Sequence, residues 1–243
     1  MEWFKDWFDS SEYLEVYKHR NDEDAARLFN LVIKNICLKP AAEVLDIACG
    51  AGRHSILFAS GGYKVTAFDL SKNLLRIGRE KCRELNLKVD FFNADIRRPA
   101  LNHEFDLVIN LFTSFGYFET DEENFALFKD AYDLLKKDAY FVFDYFNVYH
   151  LIKHLVPESV DSKNGKTVIQ KRYIKGNRII KEISLIKGSG SKSYTESVRL
   201  YNEDEIVCWL EIAGFKIKAV FGDYSGSQFH DESSPRVVII VQK

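Results

Sequence analysis

The sequence predicts an α/β protein: a doubly wound, mostly parallel seven-stranded sheet with a small antiparallel β insertion after the fifth strand. Three features point there. Between residues 43 and 145, five short apolar runs alternate with amphipathic helical stretches, the pattern of a parallel sheet covered on both faces. A Gly-x-Gly at Gly50 and Gly52 follows the first run and opens a helix, as where a strand turns tightly beside a ligand. After Tyr145 the pattern changes to strand-like runs separated by turn residues, before a helix and two more strands close the chain.

The elements follow in order. Asn21 or Asp22 caps a helix over 21–36, with acids in its first turn and apolar residues at three- and four-residue spacing. Glu43–Ala48 reads as a strand, Arg53–Ser60 as a helix and Tyr63–Asp69 as a second strand. Ser71 caps a long helix to Asn86, and Lys88–Asn93 and Phe105–Leu111 are strands three and four. Asp121–Lys137 is expected to be a helix, because acids lead and lysines trail to match its dipole; Ala139–Tyr145 is strand five. Three inserted strands are expected over 166–175, 178–187 and 193–201, with Gly176-Asn177 as a tight hairpin and Gly188–Ser191 as a looser turn. Glu203–Ala213 returns to helix, Gly214 ends it, and Phe215–Phe221 pairs with Val237–Gln242. The chain thus divides into amino-terminal helices (1–38), a core (39–146 and 202–243) and an insertion (147–201).

Composition excludes several classes. The 243 residues carry 34 basic and 36 acidic side chains, a net of -2, which excludes a globally basic nucleic-acid coat. Hydrophobic residues at 46% and aromatics at 14% exclude a disordered chain. Cys37, Cys49, Cys82 and Cys208 form no Cys-x-x-Cys, so they read as reduced thiols, and no metal site is expected. Met1–Arg20 mixes aromatics with charges and lacks the form of a signal peptide. The longest aliphatic run, Val237–Val241, falls far below the ~20 residues of a membrane helix. The expectation is a cytoplasmic protein without a membrane partner, a monomer or homodimer.

The informative stretch is Val44–Ser55, VLDIACGAGRHS. Its glycines let backbone approach a ligand, and the following helix presents free N–H groups. Asp69 ends the second strand, where a carboxylate can accept both ribose hydroxyls. A dinucleotide fingerprint wants a third glycine, and Ser55 stands there instead. Asp46 beside the turn repels phosphate and attracts an ammonium or sulfonium. The ligand predicted is a cationic adenosine derivative.

VLDIACGAG resembles the first motif of the class I S-adenosylmethionine-dependent methyltransferases, with Ala48 in place of the family's usual first glycine and Cys49 completing the run before Gly50. Asp69-Leu70-Ser71 is similar to the family's ribose-binding acid. Asn93-Ala94-Asp95-Ile96 is similar to its adenine-binding turn, and Asn110-Leu111-Phe112 to its segment after strand four. The resemblance implies a Rossmann-like methyltransferase fold and S-adenosyl-L-methionine as cofactor. Asn110–Phe118 and the inserted strands resemble the small-molecule branch, with its amino-sugar N-methyltransferases and glycine N-methyltransferase relatives. That resemblance implies that the amino-terminal helices and the insertion close over a small-molecule substrate, and that Tyr13 and Arg20 reach the cofactor's methionine end.

Methyl transfer demands positioning more than acid–base chemistry, so catalytic groups are sparse. Tyr117 after strand four, Asp144 at the end of strand five, and His150 are the candidates; His150 and His154 are four apart but lack a third metal ligand, and also read as lid histidines. Tyr145, Asn147, Arg199, Tyr201, Tyr224 and Arg236 lie on the same loops, as packing residues or substrate contacts. Residues 163–192 hold nine Lys or Arg against Glu182 alone. Those charges guard an exposed sheet against aggregation or capture an anion. Three alternatives stay open: an RNA methyltransferase using this basic insertion, a nicotinamide-dependent oxidoreductase, and a non-catalytic cofactor-binding regulator.

Overall fold

Capping side chains and strand-end carboxylates set most element borders. The computed structural model describes residues 2–17, 22–99, 101–163 and 165–243. Helices α1 (Trp3–Phe8) and α2 (Ser11–Val16) come first, and the Ser10 hydroxyl accepts the Tyr13 N–H to open the second. They are followed by α3 (Asp22–Asn35), β1 (Glu43–Ile47), α4 (Arg53–Ser60), β2 (Lys64–Asp69) and α5 (Lys72–Glu84). Then come β3 (Val89–Asn93), β4 (Phe105–Asn110), α6 (Asp121–Asp133) and β5 (Leu135–Phe146). The expected helix over 121–137 is therefore too long. Lys136 belongs to β5, where its amino group reaches Glu43 at 2.8 Å and Asp106 at 3.0 Å, carboxylates at the start of two neighbouring strands. Lys136 thus compensates acids at the starts of β1 and β4 rather than a helix dipole.

The inserted region holds α7 (Val148–Lys153), β6 (Glu158–Lys163), β7 (Lys166–Lys175), β8 (Arg178–Lys187) and β9 (Gly190–Arg199). It forms a four-stranded antiparallel sheet in the order β6-β7-β8-β9, one strand more than expected. The extra strand, ESVDSK, is polar and pairs along one side only, so hydrophobic patterning does not announce it. The chain closes with α8 (Glu203–Ile212), β10 (Lys216–Phe221) and β11 (Arg236–Gln242).

The main sheet runs β10-β11-β5-β4-β1-β2-β3, with β1 to β5 parallel and β11 antiparallel to both neighbours. Its order reverses between β1 and β4, and the carboxyl ends of strands at such a switch point form the ligand crevice of open α/β sheets. Alternation along the strands builds a core on each face. Leu45, Ile47 and Val108 pack with Phe128, Phe141 and Phe143 on one side; Val44, Leu107 and Ile109 pack with Leu28, Val32 and Phe58 on the other. A third cluster, Trp7, Tyr13, Val16, Leu74 and Ile183, joins the first two helices to α5 and to the inserted sheet. Among the described residues, no helix is long and apolar enough to cross a membrane.

Candidate functional site

The crevice over the carboxyl ends of β1 and β2 is a cavity of about 440 Å3. Its floor is the turn after β1. Ala48, Gly50 and Gly52 all have positive φ, of 56°, 58° and 74°. Ala48 thus keeps the left-handed backbone that glycine would take more cheaply. At Gly52 a Cβ would lie 2.7 Å from the Phe91 ring, so packing as well as φ selects glycine there.

Four carboxylates line this cavity, Asp22 at the start of α3 and Asp46, Asp69 and Asp95 around the strand ends. Asp69 accepts the Gly50 and Ser71 N–H groups, each at 2.8 Å, which locks the turn onto the end of β2. Burial pushes its carboxyl above the usual range, against those bonds. Asp46 is 2% exposed and accepts the Ser55 hydroxyl at 2.6 Å; burial, with the Asp69 charge beside it, raises its pKa to about 7. Asp95 accepts from the Arg97 backbone N–H and Nε at 3.0 Å and from Nη2 at 2.6 Å, and this guanidinium lowers its pKa.

Of the sequence-predicted cofactor residues, Tyr13, Asp46, Ala48, Cys49, Gly50, Asp69, Leu70, Asp95 and Ile96 come together on this cavity. Gly52 sits one turn below it as the cap of α4. Asn110 is fully buried and lies off the cavity, donating to Ile47 O at 3.1 Å between β4 and β1. Arg20 lies outside the described residues.

A second chamber of about 330 Å3 adjoins the first. Phe8, Tyr17, Phe112 and Tyr117 line both. The inserted sheet contributes nothing to the first cavity, but Arg172, Ile179, Lys181, Glu196 and Val198 to the second. Of the candidate catalytic residues only Tyr117 faces these chambers; its hydroxyl donates to Thr113 O at 2.7 Å. Asp144 is fully buried behind the second chamber. It accepts the Phe112 N–H at 2.9 Å, Arg236 Nη2 at 2.8 Å and the Tyr224 hydroxyl at 3.0 Å. Phe112 and Thr113 both sit at positive φ, 61° and 62°, so this carboxylate holds a turn that ordinary residues resist. His150 lines neither chamber, although its neighbour Leu151 on α7 lines the second; its ring stacks 4.0 Å from His154.

Sequence reasoning does not reach Phe8, Tyr17 and Glu196, and it reaches Phe112 only as part of a post-strand segment and Arg172 and Lys181 only as part of a basic run. The dense aromatics of residues 3–17 are a signal, but nothing in spacing says that β8 and β9 lie over them. They meet at Glu196, which accepts Trp7 Nε1 at 2.6 Å and the Tyr17 hydroxyl at 2.5 Å and stands 3.9 Å from Lys181.

Fold and crevice define a class, a doubly wound α/β protein with a ligand-sized cavity at the switch point. Residues 44–138 match the methyltransferase domain family. A Geobacillus sp. (strain WCH70) protein bearing a methyltransferase name is 25% identical over 84% of this chain and 85% of its own. The dTDP-3-amino-3,4,6-trideoxy-alpha-D-glucopyranose N,N-dimethyltransferase of Streptomyces venezuelae is 24% identical over 76% of this chain and 80% of its own. A crystal structure of an S-adenosylmethionine-dependent methyltransferase from Clostridium acetobutylicum ATCC 824 superposes with a TM-score of 0.81 at 20% identity, covering 95% of each chain. Residues 44–138 thus carry a methyltransferase domain, with S-adenosylmethionine as the cofactor, and the nicotinamide alternative loses its support. The first cavity fits that cofactor chemically: a buried acid poised near neutrality suits a cationic ligand, and a second suits ribose hydroxyls.

Proposed function

We propose that this protein transfers the methyl group of S-adenosylmethionine to nitrogen or oxygen of a small-molecule acceptor held in the second chamber. The carrying observation is the chamber itself, about 330 Å3, joined to the cofactor-sized cavity by four shared aromatic residues. Small-molecule pockets span ~300–1,000 Å3. The Streptomyces venezuelae relative is named for an amino-sugar acceptor, which supports nitrogen as the atom methylated.

In this reading Asp69 accepts the ribose hydroxyls, Leu70 and Ile96 flank the adenine, and Asp95, steadied by Arg97, accepts its amine. The Ala48–Gly50 backbone and Asp46 hold the charged amino-acid end, with Tyr13 above them. The bound cofactor supplies a methyl group on positively charged sulfur. The chain's residues align the acceptor and exclude water, which supplies ~7–11 kcal/mol when geometry is good. Phe8, Tyr17, Phe112 and Tyr117 border the passage, and aromatic faces attract cations. Tyr117 is the catalytic candidate that touches both reactants; Asp144 is a positioning residue acting through Phe112 and Arg236.

The RNA alternative weakens because the basic insertion spends charge internally. Lys166 reaches Glu15 at 2.6 Å, Lys192 pairs with Glu12, and Arg178 donates to the 116–118 carbonyls. The test is Ile179→Trp, which fills the chamber from β8. Turnover should fall at least tenfold, with S-adenosylmethionine affinity unchanged and folding checked by thermal melting. Unimpaired turnover in a folded variant would place the acceptor elsewhere.

A further inference from the structure

The inner face of the inserted sheet carries a charge arrangement that folding alone does not favour. In the sheet register Arg172 stands directly opposite Lys181, and Lys181 directly opposite Glu196. All three line the second chamber, with Arg236 entering from the end of β11. Like charges placed directly opposite on neighbouring strands destabilise a sheet. Lys181 has Glu196, its side chain only 12% exposed, and Arg236 has Asp144. Arg172 donates only to neutral oxygens, Ser159 Oγ at 3.1 Å, Gln170 Oε1 at 2.9 Å and Val156 O at 3.4 Å. Among the described residues no carboxylate pairs with it. The chamber wall therefore retains one uncompensated guanidinium.

We propose that the acceptor carries an anionic group, a carboxylate or a phosphate, and that Arg172 captures it. The inference rests on the reading of the second chamber as the acceptor site. A guanidinium presents a planar fork of N–H donors that matches either anion with two parallel bonds. Arg172 lines the second chamber and not the first, while the aromatic passage borders both, so an anion held by Arg172 leaves the rest of the molecule free to extend toward that passage. A neutral or cationic acceptor of the same size would leave Arg172 unpaired and add nothing against the Arg172–Lys181 repulsion.

The test uses the full chain saturated with S-adenosylhomocysteine and titrated at constant ionic strength with inorganic phosphate in one arm and acetate in the other. Binding is followed by thermal shift and calorimetry in the parent, in Arg172→Gln, and in Lys171→Gln, whose exposed side chain lies on the other face of the same strand. At least one anion should stabilise the parent complex, Arg172→Gln should weaken that anion at least tenfold, and Lys171→Gln should leave it unchanged. The arm that responds identifies the anion. No stabilisation by either anion, or equal stabilisation of the parent and Arg172→Gln, overturns the proposal. Failure of S-adenosylhomocysteine itself to bind would instead overturn the cofactor reading beneath it.

Discussion

At the scale of single residues, Asp46 makes the sharpest statement. Its ordinary pKa of 3.8 rises to about 7 in the fold because burial penalises the carboxylate. Between those values the folded protein keeps a proton that the unfolded chain has released, so this residue's contribution to stability falls as pH climbs from about 4 to about 7. A cation bound beside it reverses the preference and drives the proton off. Binding of S-adenosylmethionine near pH 6 should therefore release up to one proton, measured by calorimetry in buffers of different ionisation heat. Asp46→Asn should abolish the release; a parent protein that releases none would remove Asp46 from the cation site. The Asp46, Gly50 and Asp69 cluster is legible in the sequence because strand, turn and helix follow one another directly, and chain order alone fixes their proximity. Asp144 is not legible in the same way. A carboxylate at the end of a strand reads equally as base, cap or strut, and only Arg236, 92 residues away, and the strained Phe112–Thr113 turn decide that it is a strut.

At the scale of elements, the amino-terminal helices and the inserted sheet act together. Asp9 ties the bend between α1 and α2 to the start of α5, accepting the Ser71 hydroxyl and the Asn73 N–H at 2.9 Å each. Trp7 packs 4.5 Å from Tyr194 of β9, and Glu196 accepts from Trp7 and Tyr17 while facing Lys181 at 3.9 Å. Loosening this knot should disturb the acceptor side more than the cofactor floor, whose Asp46, Gly50 and Asp69 belong to the core. Glu196→Gln is expected to lower kcat/KM at least tenfold, in line with the ~10²-fold that a 1 Å misplacement can cost, while cofactor affinity changes little. Equal losses in both would show that the helices and sheet build the cofactor cavity as well. Strands with strong alternation are plain in the sequence, whereas β6 is hidden, because its polar residues carry none. The end of α6 is hidden too, since lysines at 136–137 look the same whether they serve a helix dipole or the acids at neighbouring strand ends.

At the scale of the whole molecule, two chambers divide the work. The floor of the first, with Asp46, Gly50, Asp69 and Asp95, is built from consecutive strand ends and the turns between them, and residues of 4–22 and α5 complete its lining. The second assembles residues from 3–17, 112–117, 146–151, 172–198 and 236, segments that no periodicity connects. That difference in sequence separation explains why the cofactor chemistry is readable in the amino-acid order and the acceptor wall is not. In the proposed function the second chamber receives a small molecule. The most direct measurement incubates the protein with methyl-labelled S-adenosylmethionine and a metabolite-containing cell extract, then separates low-mass compounds from RNA and protein. Protein-dependent label is expected in the low-mass fraction. Label confined to RNA or to protein would contradict that function.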